Sequence, residues 1–204
     1  MCGRYYFDIY EEELREIIEG FQEDLSEDFK TGEIFPSEKS LIMVRQGDKT
    51  SSIIAKWGFA RSAHKGLIIN ARAETLWEKP MFQKLVKYNR CIIPASGFFE
   101  WDKSTAGARK KNKYYFKKPS SILYMAGLFN TYHPRAEQLS LFDNNAGQIS
   151  YVIITKKANE YMEGIHDRMP LIFTKSEMEK WLNGESVNSL LAKNQAVLTH
   201  TVIS

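Results

Sequence analysis

The sequence predicts an α+β fold with a single domain over residues 1–204, in which peripheral helices surround a β-rich, barrel-like core of mixed and antiparallel strands. Strand-like segments outnumber helix-like ones and do not alternate strictly with them, which argues against a doubly wound parallel sheet. A length of 204 residues suits one domain, and 43% of them are hydrophobic, which is enough for a sizeable core.

Six segments have the apolar, β-branched and aromatic composition that is typical of strands. They lie at 40–46, 51–57, 91–94, 121–125, 150–155 and 196–203.

Helical periodicity is clearest over residues 10–21, which have an acidic outer face. The apolar positions of this segment are Leu14, Ile17, Ile18 and Phe21. Further helix-like stretches lie at 80–88, 157–163 and 176–183. Ser176 is the predicted N-cap of the last helix, because Glu179 follows three residues later.

Composition excludes several classes of protein. No segment approaches the ~18 apolar residues that a membrane span needs, and no secretion signal is evident. The two cysteines, Cys2 and Cys91, make no disulfide framework, and no cysteine or histidine spacing predicts a metal site. We therefore expect a soluble intracellular protein with reduced thiols, no metal and no organic cofactor, and a monomer by default.

The charges are unevenly distributed. Residues 8–28 contain ten acidic residues and one basic residue, which leaves 15 acidic against 27 basic residues elsewhere. Such polarity suits a polyanionic partner, although an unevenly charged solvated surface explains it equally well.

Two polar insertions interrupt the strand pattern. Residues 103–118 hold seven basic residues and the aromatic run Tyr114, Tyr115 and Phe116, which could cross a nucleic-acid backbone and stack on bases. The alternative is an exposed hairpin whose aromatic side chains point into the core. Residues 132–148 are predicted to form a long surface loop.

Cys2 directly follows the initiator methionine in the opening MCGR. If Met1 is removed, Cys2 carries an α-amine and a thiol on adjacent carbons. The two groups can attack one carbonyl carbon in succession, so they would capture an aldehyde as a five-membered thiazolidine ring. Alternatively, Cys2 is a small apolar residue at the start of a strand, and this motif alone favours that structural interpretation.

Three polar clusters flank apolar segments, at positions where separated side chains can converge on one cleft. They are NARAET at 70–75, ASGFFEW at 95–101 and HDRMP at 166–170. Each cluster alone is weak evidence for a site.

Together with MCGR, these motifs resemble the SOS-response-associated peptidase (SRAP) family, in order over residues 2–173. The matching segments are CGR at 2–4, Pro36, WGF at 57–59, NARAET, RCIIPASGFFEW at 90–101, AGLF at 126–129, TKKAN at 155–159 and HDRMP. AGLF stands where the family often has AGLW, and the loops at 103–112 and 132–148 are variable insertions.

The resemblance implies a protein that traps abasic sites in single-stranded DNA covalently through Cys2, after autocatalytic removal of Met1. It further implies that Glu100 orients the Cys2 amine and relays protons. His166 would act as acid and base in opening the sugar and in reversing the adduct. Asn70 would position the N-terminus and a sugar hydroxyl.

The resemblance also implies residues that hold the DNA. Arg4, Arg72 and Arg168 are candidates for the flanking phosphates, Pro36 and Trp57 for a wedge or stacking surface, and Thr155 for a hydroxyl in the pocket. Alternatives remain open for two of them. Trp57 could be a core aromatic, and Arg72 could form a structural ion pair with Glu74 or Asp167.

Two other classes of function compete with this one. An N-terminal-nucleophile amidohydrolase also begins MCG, but it needs an oxyanion hole, and no Asn-Gly pair precedes Asn183. A non-covalent single-strand-binding module would rely on basic and aromatic residues alone. The family resemblance favours the covalent function and a cytoplasmic, nucleoid-associated location in a bacterium.

Overall fold

Strands dominate this computed structural model, which describes residues 2–20, 29–60, 66–103, 111–131, 147–193 and 196–203. The strands are β1 (Arg4–Phe7), β2 (Gly32–Ile34), β3 (Lys39–Gln46), β4 (Lys49–Trp57), β5 (Phe59–Ala60), β6 (Leu67–Ile68), β7 (Asn70–Arg72), β8 (Arg90–Ala95), β9 (Gly97–Trp101), β10 (Lys113–Lys117), β11 (Leu123–Thr131), β12 (Ile149–Lys157), β13 (Arg168–Pro170), β14 (Ile172–Phe173) and β15 (Thr199–Ile203). The helices are α1 (Glu12–Glu19), α2 (Pro80–Tyr88), α3 (Glu160–Glu163), α4 (Lys175–Leu182) and α5 (Val187–Lys193).

The larger sheet contains a closed ring of five strands. Its order is β12, β4, β3, β8 and β11, and β11 pairs with β12 again to complete the circuit. β12 runs parallel to β4 and β7, whereas the other pairings of this sheet are antiparallel. The predicted α+β class, with a β-rich core of mixed and antiparallel strands, is therefore confirmed.

The second sheet has the order β15, β10, β9, β1 and β2, with antiparallel pairing throughout. Alternation along β1 sends Tyr5 and Phe7 into the core, while Arg4 and Tyr6 lie on the other face. Every residue of β8 is buried, which explains why RCIIPA is almost continuously apolar. β8 leads into β9 through Ser96, and the two strands thereby connect the sheets.

The sequence did not predict α5, and the other described helices differ from the prediction mainly at their ends. α1 and α2 lie within the predicted segments, and α3 is shorter than the predicted 157–163. The prediction that Ser176 caps α4 is wrong. Thr174 is the N-cap, because its side chain accepts a hydrogen bond from the Glu177 N–H while the Glu177 carboxylate accepts one from the Thr174 N–H.

The basic insertion proves to be partly a strand. β10 pairs with both β9 and β15, and Phe116 is completely buried, whereas Tyr114 and Tyr115 are half-buried. The alternative that its aromatic residues pack inward is thus correct for Phe116. The rest of that insertion, 104–110, and most of the predicted surface loop, 132–146, lie outside the described residues. Over the described ranges, none of the helices has the length and apolar character that a membrane span requires.

Candidate active site

Cys2 lies two residues before the start of β1 and is fully buried. Its Sγ lies 3.7 Å from the carbonyl oxygen of Arg4, in donor geometry. Burial raises the pKa of the Cys2 thiol well above its ordinary value, and the charge of Glu100 raises it further. The thiol is therefore protonated at neutral pH in this state, and it interacts electrostatically with the Glu100 carboxylate.

Asn70 fixes the main chain of Cys2. It begins β7, which β12 aligns by parallel pairing of Ile153 with Asn70. Its Nδ2 donates a 2.9 Å hydrogen bond to the carbonyl oxygen of Cys2. Among the described residues, the Asn70 Oδ1 atom is buried and has no hydrogen-bond partner. The Asn70 amide thus offers an acceptor next to the N-terminal residue.

Glu100 is a carboxyl group in an apolar setting. It is the fourth residue of β9, and only 3% of it is exposed. Burial raises its pKa to about 7 from an ordinary value of 4.5. A carboxyl group with this pKa can give and take a proton near neutral pH, which is the property that an acid and base catalyst needs.

His166 faces Glu100, with its Nε2 3.8 Å from Oε2 of the carboxyl group. Its Nδ1 lies 3.0 Å from the backbone N–H of Arg168 and 3.2 Å from the carbonyl oxygen of Arg168, so it accepts from the first or donates to the second according to the tautomer of the neutral ring. Burial lowers the pKa of His166 below its ordinary 6.5, which favours this neutral form. When the ring is protonated, the Asp167 carboxylate can accept from Nδ1, since its Oδ1 lies 3.0 Å away.

Arg168 is committed to other protein groups rather than left open for a phosphate. Its two Nη atoms donate to the two carboxylate oxygens of Glu74 at 2.9 and 3.0 Å, and Nη2 also donates to the carbonyl oxygen of Thr155 at 2.7 Å. Burial alone would raise the pKa of Glu74, but the hydrogen bonds from Arg168 hold it below the ordinary value. In this structure Glu74 occupies the guanidinium, and the predicted phosphate contact through Arg168 stays a prediction.

Thr155 and Arg72 flank this ion pair. Thr155 is fully buried in β12, and its hydroxyl lies 3.3 Å from Nη2 of Arg168, so it helps to hold the guanidinium. Arg72 is exposed at the end of β7. Glu74 therefore pairs with Arg168 and not with Arg72, which leaves Arg72 as a candidate phosphate contact.

Trp57 does not offer the predicted stacking surface. Its side chain is fully buried, its ring stacks on Tyr151 with centroids 6.4 Å apart, and its Nε1 donates to the carbonyl oxygen of Ile69. The alternative of a core aromatic is correct. Pro36 is half-buried in the turn between β2 and β3, where Ser37 adopts a φ of 77°. The adjacent Phe35 is the exposed ring of this turn.

Arg4 belongs to a cluster that the motifs did not reveal. Its guanidinium carbon lies over the rings of Phe35 and Trp101, at 4.6 and 4.8 Å from their centroids. Its Nη1 donates to Glu33 Oε1 at 3.2 Å, and Lys113 Nζ donates to the same oxygen at 2.7 Å. Glu33 and Lys113 carried no sequence signal beyond their charge, because 80 residues separate them.

The four residues predicted to act on the substrate thus form one site. Asn70 contacts Cys2, Glu100 influences the Cys2 thiol, and His166 faces Glu100. Within the part of the chain that the structure describes, no group of three or more His, Cys, Asp or Glu residues is arranged to hold a metal ion. The groups that this site brings together are a thiol, a carboxyl group, an imidazole and an amide.

Comparison of sequences identifies relatives over nearly the whole chain. Residues 1–203 match the family described as SOS response associated peptidase (SRAP). The chain is 34% identical over 198 residues to the abasic site processing protein YoqW of Bacillus subtilis, covering 92% of this chain and 83% of YoqW. It is 26% identical to the abasic site processing protein YedK of Escherichia coli, with 91% and 81% covered. The match to HMCES of Xenopus tropicalis, at 32% identity, covers 56% and 37%.

The fold has counterparts among solved structures. A crystal structure of a protein from Bacteroides thetaiotaomicron resembles this one with a TM-score of 0.76 and 24% identity, covering 100% of this chain and 92% of that one. A phage-related protein from Bordetella bronchiseptica gives a TM-score of 0.73 at 21% identity. At these identities the likeness concerns the fold alone. The sequence match over residues 1–203 shows that the chain belongs to the SOS response associated peptidase family.

Proposed function

We propose that this protein processes abasic sites in single-stranded DNA by forming a thiazolidine crosslink between Cys2 and the sugar aldehyde. The observation that carries the proposal is the convergence of Cys2, Asn70, Glu100 and His166, which come from four separate segments. A buried carboxyl group with a pKa near 7 beside a buried thiol has no evident structural use. The names of YoqW, YedK and HMCES as abasic site processing proteins give independent support.

The reaction begins with the free α-amine of Cys2. Its ordinary pKa of ~7.7–8.0 leaves a useful neutral fraction near pH 7. The amine adds to the aldehyde carbon of the opened sugar, and loss of water gives a Schiff base. The Cys2 thiolate then adds to the imine carbon, a proton goes to the nitrogen, and the five-membered ring closes. Only water leaves, so no oxidant or reductant is needed.

Glu100 and His166 would move the protons. Glu100 takes the thiol proton or returns one to the departing hydroxyl, since its pKa near 7 allows both. His166 Nε2 lies 3.8 Å from this carboxyl group, so the ring can exchange a proton with it and act as acid in opening the sugar and in the slow reversal of the adduct. The Asn70 Oδ1 atom provides an acceptor for the Cys2 amine or for a sugar hydroxyl.

Maturation is part of the proposed activity. With Met1 in place, the nitrogen of Cys2 is a peptide amide and cannot form a Schiff base. We assign removal of Met1 to the same thiol and acid–base groups, as a hydrolysis of the Met1–Cys2 bond by water. Cys2 is fully buried in this structure, so its thiol must become accessible before it reacts with DNA.

The DNA partner accounts for the uneven charges. Arg4 and the exposed Arg72 lie on the segments that carry Cys2 and Asn70, where they would contact phosphates on either side of the lesion. The acidic helix α1 would face away from the DNA. We further propose a monomer that acts in the cytoplasm at the nucleoid.

The crosslink is tested with a single-stranded oligonucleotide containing one abasic site. Wild-type protein is expected to give a slower band that survives denaturing electrophoresis, and Cys2→Ala is expected to abolish it. Mass spectrometry of the adduct should show the protein without Met1, joined to the DNA with loss of one water.

Cys91→Ala is the matched control, since Cys91 is also fully buried and lies in the interior of β8. This variant should keep the crosslink. A band that persists in Cys2→Ala, or a mature protein that retains Met1 and still crosslinks, would refute the proposed function. Binding that is salt-sensitive but never covalent would assign the protein to the non-covalent single-strand-binding class.

A further inference from the structure

We propose that Arg4 and Lys113 form a binding site for one phosphate of single-stranded DNA, and that Glu33 occupies it in the free protein as an internal competing anion. The inference deepens the proposed function and rests on DNA as the partner. We refer to Arg4, Lys113 and Glu33 together as the bridged cation pair.

Strand register brings these three side chains to one face of the smaller sheet. Arg4 of β1 lies opposite Phe99 of β9, and Lys113 of β10 lies opposite Trp101 of β9. Glu33 of β2 lies opposite Tyr6, which shares the face of Arg4 because side chains two residues apart in a strand point the same way. The cluster therefore spans four neighbouring strands and is part of the fold.

One carboxylate oxygen serves both cations. Glu33 Oε1 accepts from Arg4 Nη1 at 3.2 Å and from Lys113 Nζ at 2.7 Å. Two positive charges against one negative charge leave the cluster with a net charge of about +1. The side chains of Arg4, Glu33 and Lys113 are 36%, 29% and 21% exposed, so a phosphate from solvent can reach them.

Aromatic rings hold the two cations in place independently of Glu33. The Arg4 guanidinium lies over the rings of Phe35 and Trp101, and the Lys113 ammonium lies 4.0 Å from the centroid of Phe99. The cations are thus pre-organised, and displacement of Glu33 would not require them to move far. Arg4 also keeps further guanidinium N–H groups, since a single Glu33 contact is its side-chain hydrogen bond among the described residues.

The bridged cation pair is adjacent to the candidate active site. Arg4 follows Cys2 by two residues, so their Cα atoms are at most about 7 Å apart. Trp101 directly follows Glu100 in β9, so their side chains lie on opposite faces of the sheet. The short separation of Arg4 from Cys2 along the chain places a phosphate held here in a nucleotide close to the one that reaches Cys2.

The decisive variant is Glu33→Gln, which keeps the shape of the side chain and removes its charge. Its equilibrium binding to an undamaged, fluorescently labelled single-stranded oligonucleotide is measured by anisotropy at low salt. If Glu33 competes with phosphate, the affinity should rise about two- to fivefold, as expected for partly exposed ion pairs. Lys113→Gln should weaken binding and reduce the slope of log K against log salt by about 0.7.

Glu19→Gln is the charge-matched control. It removes the same charge from the exposed Arg15–Glu19 pair on α1, which belongs to another part of the molecule. A gain of equal size in Glu19→Gln and Glu33→Gln would overturn the inference, because overall charge would then explain both. In the double variant Glu33→Gln/Lys113→Gln, the gain from Glu33→Gln should shrink, and an undiminished gain would also overturn it. Melting curves check that each variant is folded.

The undamaged oligonucleotide has no aldehyde, so this result is independent of the crosslink. If Glu33→Gln leaves the affinity unchanged while the Cys2 crosslink still forms, the inference about Glu33 fails and the proposed function stands. If the affinity rises as expected but no crosslink forms with abasic DNA, the phosphate site stands and the covalent function fails.

Discussion

The protonation state of Glu100 affects both the stability of the fold and the proposed chemistry. Its carboxyl group is buried with a pKa of about 7, whereas in the unfolded chain it titrates at its ordinary value of 4.5. Between these two values the folded protein holds a proton that the unfolded chain has lost. The contribution of Glu100 to the free energy of unfolding is therefore fully present below pH 4.5 and is lost as the pH rises through 7.

Replacement of Glu100 by Gln is expected to remove this loss. Relative to wild type, Glu100→Gln should gain stability between pH 5 and pH 8 by at most about 3 kcal/mol, because one pKa unit corresponds to about 1.36 kcal/mol. Chemical denaturation of both proteins at several pH values measures the difference. Mass spectrometry must show the same N-terminus in both, since Glu100 is also proposed to act in Met1 removal. Parallel pH profiles would contradict the assigned pKa.

The motifs predicted the residues of the candidate active site but not the partners of the predicted DNA-binding residues. Cys2 and Asn70 were predicted from short local patterns, and the structure brings them into contact. Whether an arginine can bind a phosphate depends on its partners, and Arg168 has its carboxylate partner 94 residues away. No local pattern distinguishes it from Arg72, which remains exposed.

At the level of elements, the start of α4 shows how closely two sequence patterns can compete. Thr174 and Ser176 each precede a glutamate by three residues, so both satisfy the pattern of a capping box. β14 ends at Phe173, and this leaves Thr174 extended, with a ψ of 166°, at the point where the helix must begin. The position of the preceding strand therefore selects the cap.

Thr174→Ala should destabilise the protein by about 1 kcal/mol, because it removes the acceptor for the Glu177 N–H. Ser176→Ala is the matched control: Ser176 is exposed inside the first turn of α4, where alanine is at least as favourable, so the change should stay within about 0.5 kcal/mol. Urea denaturation of both variants measures the two effects. A larger loss of stability for Ser176→Ala than for Thr174→Ala would instead support Ser176 as the N-cap.

β10 shows why the smaller sheet was harder to predict than the ring. KYYFK alternates in burial only weakly, and its outer face carries a lysine and a tyrosine that pack on β9. A strand whose two faces both touch aromatic side chains has no clear apolar and polar alternation. Its segment therefore read as a basic insertion, with an exposed hairpin as the structural alternative.

For the molecule as a whole, closure of the five-stranded ring depends on close packing at Gly127. This residue lies in β11 where the strand pairs with β8 on one side and β12 on the other. A Cβ atom built there would lie 2.8 Å from the carbonyl oxygen of Val152 and 2.9 Å from Sγ of Cys91, and it would also meet Ile93. The family motif AGLF thus contains a glycine for a packing reason.

Gly127→Ala is expected to destabilise the protein by about 1–3 kcal/mol through overpacking, as measured by thermal or chemical unfolding. Gly164→Ala is the matched control, since no atom lies within 4 Å of a Cβ at that position and its backbone is right-handed helical. That change should be neutral or slightly stabilising. Equal effects of the two substitutions would show that the interior can relax around position 127.

Local patterns in the chain were enough to predict the fold class and six of the principal strands, because periodicity is a property of neighbouring residues. The resemblance to the family pointed to the four residues of the candidate active site, which the structure brings together. The tertiary structure alone decided that Trp57 is buried, that Glu74 holds Arg168, and that Glu33 joins Arg4 to Lys113. These outcomes depend on which strands pair and in which register. Register is set by the packing of segments far apart in the chain, and a single sequence does not specify it locally.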